Sequence, residues 1–355
     1  MRELIPTIQN WLSSGKGIAL ATVIKVEGSA PRPVGAKMIV SSQGELLGSV
    51  SGGCVESSVV EEALQCLRSR KSNLLHFGID SSSPWSVGLA CGGKIEVYIE
   101  PLFNSTLKNG FNRSMFEKII ELLQKNQPFI LATIISGNLQ SSKGLFSEDK
   151  WVVDDSFNIW SKNFSKGEMK KLVKKGEPRL VEIQVESSQP SKAFLEPVLP
   201  QARMVIIGAV HIAAALVSFA HELGFKTIVI DPRSTFLTRE RFPQVDELIH
   251  TWPQDVLPKL NLIFSDCIAV LSHDEKIDVP ALSESLKSPV GYIGVLGSIK
   301  TRNERFSALK GEGITDQELE RIHAPIGLNI SALEPEEIAL SIIAEIIAER
   351  RKKKK

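Results

Sequence analysis

The residues in this sequence best suited to chemistry lie in one short run, Ser51-Gly52-Gly53-Cys54-Val55-Glu56. Two glycines there permit a tight or left-handed backbone. The apolar positions Val55, Val59, Ala63 and Leu67 then recur at helical spacing, which predicts a helix reaching about Arg70 with Cys54 in its first turn. Unpaired N–H groups and the dipole at a helix start attract anions and favour the thiolate of a cysteine placed among them. Such a turn can hold a phosphate and offer a sulfur ligand together. The same pattern also fits a small buried cysteine beside a capping turn, with Glu56 only complementing the dipole.

Ala90-Cys91-Gly92-Gly93 repeats the combination of thiol and paired glycines, here entering a strand. The stiff turn Gly28-Ser29-Ala30-Pro31-Arg32 adds a guanidinium, and Arg32 either grips a phosphate through two parallel hydrogen bonds or is a plain surface residue. Lys37 is expected to be solvated. Together Arg32, Gly52, Gly53, Cys54, Glu56, Cys91, Gly92 and Gly93 form a candidate pocket for an anionic ligand, with Cys54 as the sulfur ligand.

A second group of candidates lies further along. Gly208-Ala209-Val210-His211 stands between a predicted strand and a predicted helix, and Asp231 follows about 20 residues on, the context of a dinucleotide fingerprint. The motif itself is broken, because Val210 occupies the position where glycine lets a pyrophosphate approach. Asp231 keeps a ribose-hydroxyl role open, Arg233 a phosphate role, and Pro232 between them also fits an ordinary turn. Gly297-Ser298, followed by Lys300, Arg302 and Arg305, reads either as a second backbone cradle with basic support or as a glycine turn before a solvated basic face. His211 at the helix start either donates to a ligand phosphate in this nucleotide-like pocket or serves as a capping, partly buried residue, while His221 and His250 read as structural.

These groups need elements to position them. Apolar runs predict strands at 17–27, 36–41, 45–50, 74–79, 94–100 and 129–135, others near Trp151, Leu180 and Phe194, and a helix at 116–125. Pro190, Pro197 and Pro200 punctuate a linker. Beyond it strands at 204–208, 226–231, 247–250, 267–271 and 290–295 alternate with helices at 212–223 and 337–350. The expectation is a mixed α+β domain over 1–196, then a Rossmann-like, doubly wound parallel sheet over 202–350 and a basic tail over 351–355.

Composition excludes several functions. With 42 Lys and Arg against 41 Asp and Glu in 355 residues, there is no basic footprint for nucleic acid. No apolar stretch reaches the roughly 18 residues of a spanning helix, and the start lacks an apolar signal core. A cytoplasmic location follows as an expectation. The 4 cysteines are scattered, with no zinc-ligand or iron–sulfur spacing, and read as reduced thiols rather than a metal cluster.

Several motifs in order resemble the XdhC/CoxI family over nearly the whole chain. They are Gly28-Ser29-Ala30-Pro31-Arg32 with Gly35-Ala36-Lys37-Met38, Gly48 through Glu56, and Cys91-Gly92-Gly93 through Glu100-Pro101. Further on come Asp231-Pro232-Arg233, Gly297-Ser298, Pro325-Ile326-Gly327-Leu328 and Pro335-Glu336-Glu337-Ile338-Ala339. The resemblance implies a non-catalytic accessory factor that transiently binds the molybdenum cofactor, supports its sulfuration with a cysteine desulfurase and delivers it to a xanthine-dehydrogenase-type enzyme. It places Gly52, Gly53 and Cys54 at the centre of the site, with Arg32, Glu56 and Cys91 near it. Val210, Ile299, Asn329 and Ser331 depart from the family pattern and argue against ordinary NAD(P) binding. The alternatives are an NAD(P)-dependent oxidoreductase and a component of a xanthine dehydrogenase complex. A homodimer is expected on base rates alone.

Overall fold

The protein is represented by a computed structural model that describes residues 1–78, 92–103, 111–153, 159–185 and 190–352. Two compact units divide it, Met1–Pro200 and Gln201–Lys355.

In the first unit α1 (Ile5–Ser13) leads into β1 (Ile18–Glu27), β2 (Lys37–Ser41) and β3 (Leu46–Gly48), followed by α2 (Glu56–Ser69), β4 (Asn73–Phe77) and β5 (Lys94–Pro101). These strands form an antiparallel sheet in the order β3-β2-β1-β5-β4. The chain then retraces that path. After α3 (Arg113–Gln124) come β6 (Phe129–Ile134), β7 (Lys143–Ser147) and β8 (Lys150–Val153), then α4 (Ile159–Asn163), α5 (Lys166–Lys175), β9 (Arg179–Ile183) and β10 (Ser191–Val198). Their sheet has the order β8-β7-β6-β10-β9 and is again antiparallel.

The repetition extends to single residues. Leu20-Ala21-Thr22 on β1 matches Leu131-Ala132-Thr133 on β6, and Thr22 lies opposite Lys37 as Thr133 lies opposite Lys143. Glu100-Pro101 and Glu196-Pro197 also match, Glu100 facing Leu20 across the ladder and Glu196 facing Leu131. The first unit is an internal structural repeat.

Side-chain alternation gives each central strand two faces. Ala19, Ala21 and Val23 of β1 pack on Val59, Ala63 and Cys66 of α2. On the opposite face Leu20 joins Leu131 and Leu145 of the second sheet, and Ile24 joins Phe194 of that sheet and Ile135 just beyond β6. Ile130, Ala132 and Ile134 of that sheet are covered by Trp160, Met169 and Leu172 of α4 and α5. The layers are therefore helix, sheet, sheet, helix. Burial on both faces explains why β1 begins as an unbroken apolar run.

Charges lie between these sheets as well. Lys37 Nζ meets Glu196 Oε2 at 2.8 Å, and Lys143 pairs with Glu100. The two lysines also donate to Thr22 Oγ1 at 3.3 Å and to Thr133 Oγ1 at 2.8 Å. Each half thus supplies the lysine that neutralises the other half's glutamate. Lys37, expected to be solvated, is only 5% exposed because its place on β2 faces the other sheet. Burial pushes the Lys143 ammonium pKa down, against the pull of Glu100.

In the second unit the strands are β11 (Arg203–Ile207), β12 (Lys226–Ile230), β13 (Glu247–Ile249), β14 (Cys267–Val270), β15 (Tyr292–Val295) and β16 (Ile322–His323). They form a parallel sheet in the order β13-β12-β11-β14-β15-β16, the doubly wound arrangement. The helices are α6 (His211–Glu222), α7 (Pro253–Val256), α8 (Glu275–Lys287), α9 (Ile299–Gly311), α10 (Asp316–Leu319) and α11 (Pro335–Arg351). Met204 and Ile206 of β11 face Leu216 and Ile342 of α6 and α11, while Val205 and Ile207 face Leu282 and Leu309 of α8 and α9.

Candidate functional site

Two of the expected elements stop short, and both differences shape the first site. The strand foreseen at 45–50 ends at Gly48 (φ +89°), where a Cβ would collide with the carbonyl oxygen of Lys37. The helix starts at Glu56, so Cys54 precedes it instead of sitting in its first turn. Gly52 (φ +77°) and Gly53 (φ +120°) reverse the chain between them, a conformation that glycine adopts without strain.

The Glu56 carboxylate folds back into this turn. Its Oε1 accepts the N–H groups of Val50 at 3.3 Å, Ser51 at 2.9 Å and Gly52 at 3.1 Å. Oε2 accepts those of Gly53 at 2.9 Å and Val55 at 3.2 Å. The hydroxyls of Ser49 and Ser51 donate to it as well, at 2.7 and 2.5 Å. Burial works to raise the carboxyl pKa, but these hydrogen bonds outweigh it and hold the group at about 2. The N–H groups of Val50, Ser51, Gly52, Gly53 and Val55 are therefore engaged by an anion from the chain itself.

Around this turn the first group of motifs comes together. Pro31 packs on Gly52, where a Cβ would lie 3.3 Å from the proline Cβ. Arg32 is half-buried and donates from Nε to the Ser49 carbonyl at 3.3 Å, so it braces the turn. A Cβ on Gly93 would collide with the Ser29 carbonyl oxygen, and one on Gly28 would lie 3.5 Å from Gly93 Cα. The Gly28–Arg32 loop thus touches both glycine pairs. Gly53 and Gly92 have open space where a Cβ would stand. Cys91 lies outside the described residues. Among the described cysteines Cys54 is exposed, whereas Cys66 and Cys267 are buried with thiols pushed up to about 12 by burial.

The second group gathers at the C-terminal ends of β11, β12, β14 and β15, the edge where ligands enter such sheets. Gly208 (φ +103°) lies so close to Ser272 that a Cβ would stand 2.6 Å from its Cα. Asp231 is fully buried and saturated. It accepts the Ala209 N–H at 2.7 Å, the Arg233 N–H at 2.8 Å, and the Arg233 guanidinium at 2.9 Å from Nε and 2.8 Å from Nη2. Burial raises its pKa, and the hydrogen bonds from Arg233 and Ala209 more than offset this.

His211 is exposed at the start of α6. Ser298 caps α9 by accepting the Thr301 N–H at 3.2 Å. Gly297 covers Arg305, whose Nη1 would lie 2.7 Å from a Cβ there. Arg305 itself is not part of a solvated basic face. It is 3% exposed, pairs with Asp278 and donates to the Leu296 carbonyl at 2.7 Å, while Ser272 Oγ donates to Asp278 at 2.6 Å. Asp278 went unnoticed in the sequence because nothing local marks a partner on α9.

With this geometry in place, comparison with known proteins is decisive. Residues 11–78 match the XdhC and CoxI family, and residues 204–346 match the XdhC Rossmann domain. The chain belongs to the XdhC/CoxI family.

One member, from Bacillus subtilis (strain 168) and named as a probable component of xanthine dehydrogenase, is 28% identical over 94% of this chain and 93% of its own length. Another, the molybdenum cofactor insertion chaperone PaoD of Escherichia coli (strain K12), is 26% identical over 96% of this chain and 85% of its own. A crystal structure described as a xanthine dehydrogenase from Bacillus halodurans superposes with a TM-score of 0.74 at 26% identity, covering 99% of this chain and 96% of that one. The family match to the Rossmann domain agrees with the parallel sheet of the second unit.

Proposed function

We propose that this XdhC/CoxI protein is a carrier of the molybdenum cofactor: it binds the cofactor at the Cys54 turn, supports its sulfuration with sulfur from a cysteine desulfurase, and passes it to a xanthine-dehydrogenase-type enzyme. The observation that carries the reading is the state of the turn. The amides of Ser51, Gly52 and Gly53 are engaged by Glu56, and Cys54, next in the chain, is exposed. A thiolate is a soft ligand and suits a metal centre rich in sulfur better than it suits a phosphate. The insertion-chaperone name of one relative supports the same role. Arg32 and Gly93 act as braces of the turn in this reading, and no bond-making catalysis is assigned to the chain.

The test is retention. Purified protein is mixed with molybdenum cofactor and passed through gel filtration, and molybdenum is counted in the protein peak for the wild type and for Cys54→Ser. The wild type retains the cofactor and the variant loses at least tenfold. Equal and negligible retention in both overturns the proposal.

A further inference from the structure

We infer that the outer face of α11 docks a second copy of this chain: two α11 helices pair antiparallel about a two-fold axis at Ala344, with Glu337 of each copy facing Arg351 of the other. Exposed apolar surface first marks the place. Among the described residues twelve large apolar side chains are exposed, and four of them, Leu328, Ile330, Leu333 and Leu340, fall within thirteen consecutive positions. They show 43, 49, 84 and 48% of their surface. The loop that carries the first three lies along the helix, because the Leu328 N–H donates to the Ser341 carbonyl at 3.1 Å and the Leu333 N–H to Glu337 Oε2 at 2.8 Å. Apolar residues exposed singly need no explanation, whereas a clustered patch marks a contact surface.

The helix itself has two faces. It buries Ala339, Ile342, Ile343 and Ile346 in the core it shares with α6. Turned away from that core, Glu337, Leu340, Ala344, Ile347 and Arg351 recur at alternating intervals of three and four residues. That is the seam of a packed helix pair crossing at about 20°. Leu340 and Ala348 are exposed along it, and Ala344 and Ile347 are half-buried at its centre.

The charges select the occupant. Glu336 and Glu337 stand in the first turn of α11, and Arg350 and Arg351 in the last. Arg350 lies over the Phe225 ring at 4.8 Å, whereas Arg351 is exposed. The cap bonds of Glu337 run to Oε2, which leaves Oε1 to face a second copy. Glu337 and Arg351 lie seven residues either side of Ala344, and Leu340 and Ala348 four. A two-fold axis at Ala344 therefore brings Glu337 to Arg351 twice and Leu340 to Ala348 twice, and the small side chain on the axis lets the helices close. Parallel pairing would set acid on acid and base on base, whereas antiparallel pairing also opposes the two helix dipoles. The face is thus self-complementary, as a two-fold contact requires. Leu328, Ile330 and Leu333 extend it beyond the helix, toward the roughly 800 Å² per partner that a stable dimer buries.

Sedimentation velocity and cross-linking of the full-length chain test this. The wild type sediments as a dimer at micromolar concentration, and Leu340→Glu raises the dissociation constant at least tenfold with its circular dichroism unchanged. Under mild oxidation Ala344→Cys forms a disulfide with the same position of the second copy, located by mass spectrometry of the peptides. Glu336→Cys forms no such link, because antiparallel pairing holds its two copies about 24 Å apart. A monomeric wild type overturns the proposal, and so does a dimer that a folded Leu340→Glu leaves intact. A dimer that lacks the link at position 344, or that links at position 336, overturns it as well. Should Leu340→Glu fail to fold, the cross-links decide.

Discussion

Lys37 and Glu196 form a buried ion pair at 2.8 Å across two sheets of the same strand order. Lys143 and Glu100 form the reciprocal pair, with side chains 1% and 4% exposed. Removing one member strands a charge in a place water cannot reach, whereas removing both exchanges the pair for apolar contact. Lys143→Met is expected to destabilise the first unit by about 3–5 kcal/mol, and Lys143→Met with Glu100→Leu to recover most of that loss. Urea unfolding of the two single variants and the double variant gives the coupling energy. Additive losses would show that the pair does not act as a unit.

Glu56 sets an acid limit on the turn. Its folded-state pKa of about 2 lies below the ordinary value of 4.5, so the stabilisation it gives is fully present above pH 4.5 and is lost as pH falls toward 2. Glu56→Gln is expected to lower stability at neutral pH, and its difference from the wild type should shrink through that window. Thermal unfolding of both proteins from neutral pH downward checks this. A difference that stays constant with pH would mean that the charge of Glu56 contributes nothing.

Gly93 tests whether the first site is one packed assembly. The Cβ of Gly93→Ala would enter the Ser29 carbonyl, which is backbone and cannot swing aside. The Gly28–Arg32 loop must then move, and with it Pro31 on Gly52 and the Arg32 bond to Ser49. The expected result is a loss of about 1–3 kcal/mol, typical of overpacking, and faster alkylation or oxidation of the loosened Cys54 turn. Unchanged thiol kinetics in a destabilised variant would uncouple Gly93 from that turn.

Much of this architecture is readable in the sequence, and the parts that are not have physical causes. Val55, Val59 and Ala63 announce α2, and the alternation of strands with helices after Arg203 announces the parallel sheet. The repeat stays hidden because loops of unequal length separate Thr22 from Lys37 and Thr133 from Lys143, so no fixed period survives. Helix α5 is also missed, since it buries only Met169 and Leu172, although Ser165 with Glu168 and then Gly176 spell a capping box and a helix stop. At the first site the sequence reveals a nest of N–H groups before a helix. That the nest is filled by Glu56 depends on the path of the Gly52-Gly53 backbone, which residue types alone leave open.

Asp231 repeats this logic in the second unit, and it bears on whether the Rossmann-type sheet binds a dinucleotide. In such folds the acidic residue after the second strand binds ribose hydroxyls while amides of the first turn hold the pyrophosphate. Here the acceptor and one of the donors are spent on each other, Ala209 N–H on Asp231, and the remaining capacity of the carboxylate goes to Arg233. Binding NAD would require breaking a buried, charge-assisted set of bonds, each worth about 1.5–3 kcal/mol, before any ligand contact forms. Calorimetric titration is therefore expected to show no NAD or NADP binding in the micromolar range, and Arg233→Ala alone should not create it, because the Ala209 N–H still engages Asp231. Micromolar affinity in the wild type would mean that the Asp231–Arg233 pair opens readily, and the oxidoreductase alternative would then gain the ground that the carrier reading loses.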